Sequence, residues 1–152
     1  MMASCLIVIL GLMLTACDPD DAYSHYEHVP LEGWIKSDGI VFDIPALRRG
    51  GDYAVTMGLR TNAKYPFTSV SVIVDQTVYP SKRTLSDTIE CKLADDNGRR
   101  LGPGINTYQY TFHVRDDQLA TSDSLHVVVR HHMRSELLDG ISDVGISLKR
   151  LR

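Results

Sequence analysis

Strict two-residue alternation runs through most of this chain, and it leaves little room for anything but strands. Tyr53, Val55, Met57 and Leu59 fall on one side of a run whose other side is Ala54, Thr56, Gly58 and Arg60. Successive strand residues point to opposite faces, so a run of this kind buries one face and wets the other. Ile40, Phe42 and Ile44 repeat the pattern, as do Val70, Val72 and Val74, then Ile89, Cys91 and Leu93. Tyr108, Tyr110, Phe112 and Val114 alternate with Thr107, Gln109, Thr111 and His113. Two further stripes follow at Leu125, Val127, Val129 and at Val144, Ile146, Leu148. Turn material parts them: Arg49-Gly50-Gly51-Asp52, Tyr65-Pro66, Tyr79-Pro80-Ser81, Asp95-Asp96-Asn97-Gly98 and Gly102-Pro103-Gly104. About seven to eight mainly antiparallel strands predict an all-β, two-sheet sandwich, either a jelly roll or immunoglobulin-like. Only residues 119–122 and 135–139 look fit for a helical turn.

The first sixteen residues stand apart from that domain. Residues 6–14 are apolar and end in Leu14-Thr15-Ala16-Cys17, followed at once by Asp18-Pro19-Asp20-Asp21. A bilayer-spanning helix needs about 20 apolar residues, so the run has the length of a signal-peptide core with small residues at its cleavage site. Leu-Thr-Ala-Cys resembles the lipobox of bacterial lipoproteins, in which the Cys thiol receives a diacylglycerol and the signal is cut before it. The resemblance implies lipid on Cys17 and a membrane as the first partner. Met1-Met2-Ala3-Ser4 carries no Lys or Arg where a signal normally begins positively charged, an expectation that the true start lies upstream. Residues 1–16 then read as signal peptide, 17–24 as a polar lipidated tether, and 25–152 as a single sandwich domain. Asp18, Asp20 and Asp21 resemble an acidic signal for display on the outer face of the outer membrane. Outer-membrane attachment is expected, with periplasmic and surface faces both open.

Of three cysteines, Cys5 leaves with the signal and Cys17 takes lipid, so Cys91 is the remaining thiol. Its stripe places it inside, as an inert core group. The net charge of −3 does not give the basic footprint of a general nucleic-acid binder. No zinc-protease, nucleophile-elbow, phosphate-loop or Cys-x-x-Cys spacing is present, so neither enzyme activity nor a cofactor is expected. His25-x-x-His28 needs further ligands before it holds zinc. Asp95-Asp96-Asn97-Gly98 lacks the spacing of a calcium loop and reads as a turn with Gly98 at positive φ.

The basic cluster is His126, Arg130, His132 and Arg134, which alternation sets on one polar face with His131 inward. His126 and His132 would lie about 20 Å apart at roughly 3.3 Å per residue, too far to share a metal ion. A solvated face and a contact surface for an acidic partner or anionic glycan both remain open. Trp34 with the tyrosines offers a sugar-stacking platform if exposed, and a core cover if not.

In order along the chain, several motifs resemble the gliding-motility lipoprotein GldH family of Bacteroidetes. They are Leu59-Arg60-Thr61-Asn62 with Tyr65-Pro66-Phe67, Asp87-Thr88, Leu93-Ala94-Asp95 with Gly98, Gly102 and Gly104, and Met133-Arg134 with the run from Leu138 to Gly145. The departure is Arg99-Arg100-Leu101, where relatives often carry an aromatic residue. The resemblance implies an envelope lipoprotein tied to gliding, whose machinery overlaps type IX secretion, and transfers no catalytic residue. A docking subunit of an envelope assembly is therefore expected, with a surface carbohydrate-binding module as the alternative. Gly102, Gly104, Gly140 and Gly145 suit turns or close backbone approach, and Arg60 and Arg134 are expected to pair with Asp87 or Asp143. Labelled palmitate should enter the wild-type protein and not Cys17→Ala, as read by autoradiography of the immunoprecipitate; absence of label on wild type would remove the anchor.

Overall fold

The computed structural model describes residues 20–152, so the signal segment and Cys17 lie outside the described residues. Ten strands follow one another: β1 (Asp21–His28), β2 (Trp34–Ile35), β3 (Ile40–Ile44), β4 (Gly51–Asn62), β5 (Ser69–Tyr79), β6 (Arg83–Lys92), β7 (Thr107–Leu119), β8 (Ser124–His131), β9 (Leu137–Leu138) and β10 (Ile141–Arg150). They form two four-stranded sheets, β1-β10-β4-β7 and β3-β8-β5-β6, with β2 and β9 as a separate ribbon. Every pairing is antiparallel. Taking the eight long strands in order, the chain alternates between the two sheets except at the β5–β6 hairpin, as a jelly roll does, which decides between the two sandwich types expected.

The expected stripes meet between the sheets. Val55, Met57, Leu59, Val144, Ile146 and Leu148 face Val70, Val72, Val74, Val127 and Val129 in one buried cluster. One polar knot interrupts it. Gln76 Nε2 donates to Asp117 Oδ2 at 2.7 Å, and Arg83 forks the same carboxylate at 3.0 and 3.2 Å. A second pair, Arg115 Nε to Asp87 Oδ2 at 2.6 Å, lies on the same side. These bonds tie β5 and β6 of one sheet to β7 of the other. The expected partners of Asp87 and Asp143 are thereby corrected: Arg115 takes Asp87, while Arg60 donates to Gln109 Oε1 at 3.2 Å.

Three local expectations change. No helix forms among the described residues; residue 119 ends β7 and residues 137–138 make β9. A register shift where Val55 and Thr56 oppose Arg115 and His113 leaves Val114 as an extra residue. Such a bulge resets strand parity, so Asp117 and Leu119 point inward where continued alternation would turn them out. Lastly, residues 21–24, read as tether, are the first half of β1, which pairs with β10 from Asp21 to His28.

Two glycines bound the useful end of the fold. Gly140 has φ +86° and Gly98 φ +79°, the left-handed region where side chains are strained. A Cβ on Gly140 would also overlap the Tyr65 backbone nitrogen, whereas one on Gly98 meets nothing within 4 Å. Gly98→Ala should cost about 1 kcal/mol and Gly140→Ala about 3 kcal/mol or more, measured by urea denaturation; equal losses would show that the Tyr65 contact yields freely.

Candidate functional site

Four loops gather at one end of the sandwich: residues 29–39, 63–68, 93–106 and 132–140. All follow from strand direction, since β1, β4, β6 and β8 run toward this end and β3, β5, β7 and β10 leave it. The chain's described start and its C-terminus lie at the other end. Six of the nine exposed large apolar side chains among the described residues sit on the loops or the ribbon here: Leu31, Ile35, Phe67, Leu101, Ile105 and Leu137. Leu31 and Ile105 are 97% and 87% exposed. Single exposed apolar groups are ordinary, and here six share one pole.

The loops are held by short bonds and do not simply hang. Asn62 N donates to Gly140 O at 2.9 Å, Tyr65 hydroxyl to Ser69 O at 2.7 Å, and Arg100 Nη2 to Tyr65 O at 2.6 Å. Leu59-Arg60-Thr61-Asn62 and the run from Leu138 to Gly145, eighty residues apart in sequence, become neighbours because β4 pairs with β10. Beside them opens a cavity of about 500 Å3, lined by His28, Leu31, Asn62, Lys64, Asp139 and Asp143 among others. Asp143 is 7% exposed. Ser142 hydroxyl donates to its Oδ2 at 2.8 Å. His28 Nδ1 stands 2.5 Å from Oδ1, but off the line of a hydrogen bond, so that oxygen has no aligned donor. A buried carboxylate beside an apolar lip suits recognition of a donor group. Ser142 and His28 approach the two oxygens of the same carboxylate, and no cluster of three metal-ligating side chains forms among the described residues.

On the outer face nearby, Tyr26 lies over the paired glycines Gly145 and Gly58, where a Cβ on Gly58 would overlap its hydroxyl. The Arg60 guanidinium carbon sits 4.1 Å from the Tyr26 ring centre. A side chain at either glycine would have to displace the ring laid across them, and Arg60 packs on that ring.

Two of the four residues of the expected basic face have carboxylate partners. His126 Nδ1 lies 2.7 Å from Asp43 Oδ1, and Arg130 Nη2 donates to Asp75 Oδ2 at 2.5 Å. The Ser86 hydroxyl and the Arg130 guanidinium hold the Asp75 carboxyl below its usual range. Cross-strand carboxylates on β3 and β5 therefore balance half of the cluster. His132 and Arg134 lie beyond β8, exposed in the loop at the apolar pole. The sugar platform does not assemble either. Trp34 is 1% exposed, Tyr110 is 7% exposed, and half-buried Tyr108 has Arg100 beside its ring. His25 and His28 engage different carboxylates, Glu27 and Asp143. Cys91 is fully buried, and burial pushes its thiol up to about 12. Asp95 Oδ1 accepts from Asn97 N and Arg99 N at 3.0 and 2.9 Å, closing the turn expected there.

The family model described as GldH lipoprotein matches residues 21–148. The chain belongs to the GldH lipoprotein family. Two relatives align over nearly their full length. "Gliding motility lipoprotein GldH" of Flavobacterium johnsoniae is 26% identical, over 95% of this chain and 94% of its own. "Gliding motility lipoprotein GldH homolog" of Christiangramia forsetii is 24% identical, over 91% and 90%. Among solved structures, the C-terminal domain of EclA, a sugar-binding protein, covers 85% of this chain and 79% of its own at 17% identity, with a TM-score of 0.40. That likeness is too loose to bear on function. Within the GldH match, the motifs at Arg60, Asn62, Gly140 and Asp143 converge on the apolar pole.

His131 underlies that pole. It is 1% exposed, its ring meets Trp34 edge-on at 5.4 Å, and Nε2 lies 3.1 Å from Trp34 O. Met133 N points at Nδ1 at 3.4 Å, which makes the neutral, Nε2-protonated ring the one that fits. Burial lowers its pKa from the ordinary value. A group whose folded pKa is depressed contributes stability above its unfolded value, about 6.5, and loses it as pH falls further. Thermal denaturation should show a melting point that drops between about pH 7.5 and about pH 5, and a smaller drop for His131→Gln; an unchanged slope would place the sensitivity elsewhere.

Proposed function

We propose that the protein is a non-enzymatic, lipid-anchored subunit of the cell envelope that docks its apolar pole onto a larger assembly serving gliding motility or the related type IX secretion. The observation that supports it is the opposition of the two ends. β1 begins at Asp21, close behind Cys17, while six exposed apolar side chains gather where β1 ends. Covering six such side chains is worth on the order of 10 kcal/mol gross. Association costs a similar amount, about 4–15 kcal/mol, so free in solution the contact is weak. A lipid on Cys17 confines the domain to one surface and raises the effective concentration of its partner to about the millimolar range. Weak docking then suffices.

Mild crosslinking in the native host, followed by purification of the tagged protein, tests this. Envelope motility or secretion components should co-purify with wild type, fall sharply with Cys17→Ala, and fall with Leu31→Asp and Ile105→Asp while the variants remain folded. Recovery that ignores both pole substitutions, or of glycan alone, would overturn the docking role.

A further inference from the structure

Opposite the apolar pole, the sandwich opens again between its sheets. A cavity of about 490 Å3 is lined there by residues 20–22, by residues 45–49 of the loop from β3 to β4, and by Tyr53 and Arg150. Its floor is apolar, with Leu47 and Tyr53 only 5% and 3% exposed. Its rim is cationic: Arg48 and Arg49 are exposed on the loop, and Arg150 closes β10. The Nε of Arg150 is buried without a hydrogen-bond partner. Asp20 and Asp21 also line the mouth, but Asp20 lies 2.6 Å from Arg152 and Asp21 3.9 Å from Lys149. The charge left at the opening is that of the three arginines.

We propose that this mouth binds the phosphate group of a membrane-lipid headgroup. Guanidinium groups match phosphate oxygens with paired donors, and the apolar floor suits the glycerol and first methylenes behind the phosphate. The address agrees with the chemistry. Four residue steps separate Cys17 from Asp21, and an extended chain spans at most about 3.6 Å per residue, so the mouth lies within about 14 Å of the lipidated residue. That placement rests on the Cys17 anchor of the proposed function; the site's own chemistry does not.

The test uses the protein purified from its own membranes in a neutral detergent, with phenylglyoxal as an arginine-specific probe and mass spectrometry to read each site. Adding phosphatidylglycerol to the micelles should slow modification of Arg48, Arg49 and Arg150 and leave Arg99 and Arg134, at the other pole, unchanged. Phosphatidylcholine should protect less. Arg48→Gln and Arg49→Gln lie on an exposed loop and should each weaken the phosphatidylglycerol effect on Arg150 about five-fold, the factor for roughly 1 kcal/mol per arginine near an anionic surface. Equal slowing at both poles, or none, overturns the site. Protection by inorganic phosphate without protection by phosphatidylglycerol overturns the headgroup as its source. Palmitate labelling reports separately on Cys17, so loss of the anchor reading would leave this result standing.

Discussion

The interleaved valine layer between the two sheets is what the rest of the molecule hangs on. Val70, Val72 and Val74 on β5 and Val127 and Val129 on β8 are no more than 1% exposed, as are Val55, Met57 and Leu59 on β4. A fully buried aliphatic side chain contributes about 1.5–3 kcal/mol, and β-branched residues lose little on entering a strand. That layer sets the spacing at which loops of both sheets meet. Along one side the sheets are also closed by charge: Arg83 with Asp117 and Gln76, and Arg115 with Asp87. Removing Arg83 or Gln76 would leave the buried Asp117 carboxylate short of donors, which is why such a group is costlier to orphan than its pairing is worth.

Much of this was legible from residue order, for a simple reason. A strand with one wet face writes its burial into every second letter, and the stripes at β3, β4, β5, β8 and β10 all fell where alternation put them. β1 wrote nothing of the kind. It is an edge strand held by backbone pairing to β10, with only Tyr23 and Tyr26 partly buried, so its first half looked like tether. The second half of β7 was hidden by the bulge at Val114, and nothing near Gln76 in sequence announces its partner, Asp117, 41 residues away.

The functional pole was harder to see, because pairing of β4 with β10 assembles it from distant segments. Asn62 on one motif and Asp139 and Asp143 on another, far apart in sequence, line one cavity. Asp43 and Asp75, which balance half of the basic run at residues 126–134, likewise arrive from other strands. Nothing within the run announces its counter-charges. Gly145, by contrast, was readable as a point of close approach, though not that a tyrosine ring would lie there.

The early start of β1 has a mechanical consequence. With strand structure beginning at Asp21, a lipid on Cys17 would leave only a very short leash, and β10 beside it spans ten residues, about 33 Å at strand rise. A protein on so short a leash behaves less like a float than like a post. With the lipid in place, its far tip would stay within a shell of limited height above the membrane.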